Sequence, residues 1–401
     1  MKFAIALLLL SGCGGDNNQS NLDLSAPPDL APQYPASHPA MPAAQNLGGP
    51  VMANPKIVPI TFMGDPLQSQ IDSFTQAIAA SHYWTGAASE YGVGAATALT
   101  PVHVATAANA TYQDSDIQTW LKGQIMNTAG FPQPDGNTIY AIFFSTGVTV
   151  NMLGGTSCNA FNGYHNDFQI GATGTFVTYT VISRCQMQGV SLQDMMTATA
   201  SHEFLEAATD PLATDNPAWA TVDESDIVWS QVNGGGELGD LCAAYPDSFY
   251  KPADLNYLVQ RIWSNAAAAA GHDPCEPDGT NPYFNSAPVM SDALTLNIPG
   301  FGVANAMGVK IPQGQSVTVE LDLYSDAPTS GPWNISAIDF NSAFMGGPAA
   351  LTFAFDQTSG QNGDKVHLTI THNTNDPSGA PFWIQNDLGN QSTVWLGVVG
   401  N

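Results

Sequence analysis

Hydrophobic and polar positions follow two different rhythms along this chain, and the change between them divides it. Residues 56–63 (KIVPITFM) are β-branched and apolar, which predicts a strand. Asp65-Pro66 then opens a predicted helix whose Leu67, Ile71, Phe74 and Ile78 share one face. Ile117, Trp120, Leu121 and Ile125 mark a second helix over 115–126. The run 138–144 (TIYAIFF) is apolar throughout, as expected of a strand covered on both faces, and 175–182 (TFVTYTVI) reads as another. Ser191-Leu192-Gln193-Asp194 resembles a capping box and launches a helix that Asp210-Pro211 ends. This region is mixed α/β.

Beyond residue 278 the period drops to two. DGTNP (278–282) reads as a linker. After it Val317, Val319, Leu321 and Leu323 alternate with polar residues, as do Leu351, Phe353 and Phe355, then Val366, Leu368 and Ile370, then Val394 and Leu396. Short alternating strands between Gly, Pro and Asn turns predict an Ig-like β-sandwich over 278–401. It carries no catalytic cluster and is expected to support or bind.

The N-terminus has another character. Lys2, an apolar run over 3–10 and Leu10-Ser11-Gly12-Cys13 form a signal peptide (1–12) ending in a lipobox-like site, with Cys13 the lipidated residue. Gly14, rather than an aspartate, follows the cysteine, which favours the outer membrane or cell surface. Residues 13–46 are rich in Pro, Ala, Ser and Asn and read as a flexible tether. The membrane, reached through that anchor, is the first expected partner. Four cysteines remain, and in an exported chain an even number suggests two disulfides. Three pairings are open; the sequential one, Cys158 with Cys185 and Cys242 with Cys275, is the expectation.

Charge narrows the function. The 401 residues hold 34 acids against 8 Lys and Arg, a net charge of −26. Such a surface excludes nucleic acid, whose phosphates need basic partners, and favours cations. The helix after Ser191 offers a place for one. In SHEFLE (201–206), His202 and Glu206 stand i, i+4 and share a face, with Glu203 about 100° round. This is the pattern of the H-E-x-x-H helix of zinc peptidases with Glu206 in place of the second histidine, a carboxylate that can also ligate zinc. Its surroundings are apolar (Met195, Met196, Ala198, Leu205, Ala207), and buried charge without a partner is costly. Downstream, GGELGDLC (235–242) brings Glu237 or Asp240 as a third ligand, in a turn tied by Cys242. His165, in NGYHNDF, reads as a fourth ligand, a transition-state hydrogen-bond donor or an ordinary loop histidine. Calcium is the other cofactor considered, because 210–240 is oxygen-rich, but no D-x-D-x-D-G loop is present and histidine suits calcium poorly.

With GGPV (48–51), STGV (145–148), GYH (163–165), YTVISRC (179–185), SHEFLE, GELGDLC (236–242) and LVQRIWS (258–264) in this order, the chain resembles the Exordium-like, or phosphate-induced protein, family over residues 48–277. The resemblance implies an extracellular location and one site built from the histidine–glutamate helix and the E-L-G-D turn; it implies no particular reaction. The acids Asp215, Asp223, Glu224 and Asp226 and the bacterial-type anchor depart from the family pattern. The strand–helix–strand series before the motif also looks like the zincin plan of metallopeptidases. Two functions are expected to compete. One is a zinc-dependent hydrolase acting on peptide, with Glu203 as general base and His165 assisting. The other is a non-catalytic module binding cell-wall glycan or protein around a structural metal.

Overall fold

The apolar runs of the first half form the interior strands of a mixed sheet. The computed structural model describes residues 32–401 apart from 172–173, 244, 278, 300–301 and 375. The signal peptide, the Cys13 lipidation site and the first part of the tether lie outside the described residues. Strand β1 is Ala44–Asn46 and β2 is Lys56–Phe62, followed by helix α1 (Gln68–Ala79), which buries Ile71, Phe74 and Ile78 as its stripe requires. Helix α2 is Asp114–Asn127, with a Gln113–Asp116 capping box and Ile117, Leu121 and Ile125 inward. Strand β3 (Thr138–Phe143) is buried at every position. Strands β4 (Gly163–Ile170) and β5 (Thr175–Ile182) complete the main strands of this sheet. β2, β3 and β5 run parallel in that order, and β4 closes the edge antiparallel to β5.

Helix α3 (Leu192–Thr209) follows, capped by Ser191, whose Oγ accepts from the Asp194 amide. It is buried along most of its length, polar positions included, packed between β4–β5 and the segment Val259–Gln260. Strand β6 (Trp219–Val222) and helix α4 (Ile227–Asn233) lead to the glycine-rich turn. The disulfides are Cys158–Cys185 and Cys242–Cys275, the sequential pairing.

The period-two region forms two further sheets. Its strands are β7 (Phe284–Pro288), β8 (Asp292–Ile298), β9 (Gly302–Lys310), β10 (Ser316–Ser325), β11 (Trp333–Asp339), β12 (Leu351–Phe355), β13 (Lys365–His372), β14 (Ala380–Leu388) and β15 (Gln391–Gly400). One sheet runs β7-β10-β13-β12 and is antiparallel throughout; the other runs β8-β9-β15-β14-β11, with β9 and β15 parallel. Leu294, Leu296 and Ile298 point inward while their neighbours face water, the alternation the sequence announces.

One hydrophobic core runs through both halves of the unit Tyr34–Asn401. Trp229 of α4 packs edge-on against Trp395 of β15, with ring centroids 6.1 Å apart. The tether expectation is corrected here. From Tyr34 onward the segment belongs to this unit: Met41 and Ala44 are buried, β1 pairs antiparallel with β6, and the His38 ring stacks on Tyr324 at 3.6 Å. Composition measures what a segment can bury by itself. It does not register the hydrophobic surface on which the segment lies.

Candidate metal centre

Three elements converge on one cleft: the second half of α3, the edge strand β4 and the turn between α4 and Cys242. His202 and Glu206 project together, with His202 Nε2 2.9 Å from Glu206 Oε2. The turn docks onto the same carboxylate, since the amides of Gly239 and Asp240 donate to Glu206 Oε1 at 3.1 and 3.2 Å. Gln260 fastens it from the other side by donating to the Gly239 carbonyl at 2.7 Å. Docked in this way, the turn brings Asp240 Oδ1 to 3.7 Å from His202 Nε2. A side chain at Gly239 would prevent it, because an added Cβ would lie 2.6 Å from His202 Nδ1 and 2.8 Å from Glu206 Oε1.

Glu203, one residue round the helix, faces β4. That strand approaches so closely that a Cβ on Gly163 would sit 2.8 Å from Glu203 Oε1. His165 is a buried residue of β4 rather than a loop histidine. Its Nδ1 lies 3.8 Å from Glu203 Oε2 and 3.7 Å from Glu206 Oε2; its Nε2 lies 3.6 Å from Glu237 Oε1 and 3.1 Å from the Asp210 main-chain oxygen. The cleft has a volume of about 410 Å³, with Phe161, Tyr164, Met195 and Phe249 among its walls. Glu237 and Asp240, 18% and 20% exposed, open the cluster to it.

The electrostatics follow from burial and crowding. Burial alone would lower the His202 imidazole, but Glu206, Glu203 and Asp240 outweigh it and hold it well above its ordinary value. Against its own burial, Glu206 is drawn down to about 2 by His202. Burial, with Glu206 nearby, lifts Glu237 well above the carboxylate range and Asp240 to about 8. Glu203 and Asp210 are also raised, chiefly by burial. The Lys and Arg ion pairs among the described residues all go to other acids.

These residues fit a divalent ion. Two donors about 2.1 Å from a tetrahedral ion are roughly 3.4 Å apart, and the 2.9 and 3.7 Å separations around His202 Nε2 bracket that. Ligand atoms of His202, Glu206 and Asp240 lie within 4.8 Å of one another. Of the two candidates for a third residue, Asp240 groups with His202 and Glu206, whereas Glu237 groups with His165 and Asp210.

Asp210, expected from the sequence only as the helix stop and the start of an oxygen-rich stretch, joins the cluster as the C-cap of α3, two turns beyond His202, with its main-chain oxygen 3.1 Å from His165 Nε2.

No family model and no curated protein matches this chain. Among solved structures it is similar to a chimeric titin Z1Z2 carrying a KLER peptide from decorin (10% identity, 29% of this chain and 94% of that chain, TM-score 0.17). It is also similar to the titin M3 domain (14% identity, 30% and 94%, TM-score 0.17) and to a C. elegans twitchin kinase fragment (13% identity, 30% and 20%, TM-score 0.17). Likenesses this slight carry no argument about function.

Proposed function

We propose that this protein is an extracytoplasmic zinc-dependent hydrolase of Exordium-like type, acting on peptide. The observation that carries the reading is the convergence of His202, Glu206 and Asp240 at the floor of an open cleft. A structural metal is closed off by its ligands, whereas a catalytic one keeps a position for substrate or water. Bound zinc supplies Lewis acidity and makes water nucleophilic near neutral pH. His202, Glu206 and Asp240 would hold it. Glu203, buried beside the cleft and adjacent to His202, would take the proton of the attacking water and return it to the leaving group.

The antiparallel edge strand β4 beside the motif helix supports a zincin-like plan, and the two β-rich sheets would form an Ig-like sandwich. The two disulfides fit an oxidising, extracytoplasmic compartment. Among the described residues no helix is long and apolar enough to cross a membrane; attachment would come through a lipid on Cys13. Elemental analysis of the purified protein tests the core of the reading. His202→Ala is expected to hold one equivalent of zinc less than the wild type while remaining folded; equal zinc in both would remove the reading.

A further inference from the structure

One ion at His202 leaves much of the cluster unused. His165, Asp210 and Glu237 form another set of one imidazole and two carboxylates, with ligand atoms again within 4.8 Å, and share no residue with His202, Glu206 and Asp240. Asp210 is fully buried. Its Oδ1 accepts from the Ala218 amide at 2.7 Å, while its Oδ2 has no hydrogen-bond partner. A buried carboxylate oxygen without a donor is costly unless a cation meets it. His165 Nε2 faces the same region, 3.6 Å from Glu237 Oε1 and 3.1 Å from the main-chain oxygen of Asp210. Glu206 lies between the two sets, its Oε2 2.9 Å from His202 Nε2 and 3.7 Å from His165 Nδ1.

Charge points the same way. Glu203, Glu206, Asp210, Glu237 and Asp240 crowd one site, and the Lys and Arg ion pairs among the described residues go elsewhere. A single dication can balance two of those five carboxylates, whereas a pair can balance four. Carboxylates packed in low dielectric do not tolerate the larger excess.

We propose that the cleft holds a second divalent cation, ligated by His165, Asp210 and Glu237, beside the one read at His202, Glu206 and Asp240. It rests on the proposed function only for that neighbour. Its donors are one imidazole and two carboxylates, a mainly oxygen set that accepts Mn²⁺ as well as Zn²⁺. Paired cations serve hydrolytic displacement by holding the attacking and leaving oxygens together.

The test is stoichiometry on the full chain, stripped with chelator and titrated with Zn²⁺ by calorimetry, with elemental analysis of the product. Two equivalents are expected in the wild type and one in each of Asp210→Asn, Glu237→Gln and Asp240→Asn. Asp210→Asn keeps an acceptor for the Ala218 amide; Glu237→Gln, at a less deeply buried position, stands in if that variant fails to fold. Loading with Mn²⁺ should give the spin-coupled resonance spectrum of a pair in the wild type and of an isolated ion in Asp210→Asn. One equivalent in the wild type, kept by Asp210→Asn and Glu237→Gln and lost in Asp240→Asn, overturns the second ion and leaves the proposed function standing. No Zn²⁺ bound at all overturns both.

Discussion

The two oxygens of Glu206 face different parts of the molecule: Oε1 accepts the Gly239 and Asp240 amides, and Oε2 meets His202. One side chain thus locates the turn and presents a donor to the cleft. Gly239 is the residue that permits this contact. In Gly239→Ala the methyl group meets both His202 and Glu206, a kind of overpacking that costs about 1–3 kcal/mol. The variant should bind Zn²⁺ at least tenfold more weakly by calorimetry, with a lowered denaturation midpoint. Glu203 is separate from the set assigned to hold the ion, so Glu203→Gln isolates the proton-transfer role. Peptide hydrolysis should fall by at least about 10²-fold in Glu203→Gln, while elemental analysis finds the wild-type zinc content. Unchanged turnover would exclude Glu203 as the base.

At the scale of elements, α3 was readable because its start, its stop and its i, i+4 pair are local features. Strand β4 was not. GYHNDFQI is polar, and it becomes a strand because β5 offers a full antiparallel ladder while α3 covers one side. Once paired, the strand turns His165 from a loop residue into part of the site. Segment 34–46 makes the same point. Asn265 accepts the Ala44 amide at 2.8 Å and donates to its carbonyl at 2.9 Å, clamping β1 to the body. Asn265→Ala should therefore destabilise the protein by about 1–3 kcal/mol, for two lost hydrogen bonds, in urea denaturation. A change below the error of the melt would show that this clamp contributes nothing to stability.

The molecule as a whole combines a large acid excess with buried acids away from the cleft. Asp273, whose Oδ1 accepts the Cys275 and Glu276 amides next to a disulfide, is raised by burial to about 7. Its unfolded value is about 3.9. Between those two the folded state holds the proton and the unfolded state has lost it, so stability declines as pH rises from about 4 to about 7. Asp273→Asn removes that decline. Relative to the wild type it should gain stability between urea melts at pH 4.5 and pH 8, and an equal difference at both values would rule out Asp273 as the titrating group.

Periodicity, caps and cysteine count determined the order of elements, the change from α/β to all-β texture and the helix that carries His202, Glu203 and Glu206. Those are properties of residues close in sequence, where backbone geometry alone decides which side chains share a face. Tertiary structure decided the rest: that Asp240 and not Glu237 faces His202, that His165 and Asp210 join the cluster, and that the segment after Tyr34 is packed. Each depends on surfaces distant along the chain meeting at a few ångströms, and no local pattern encodes that distance.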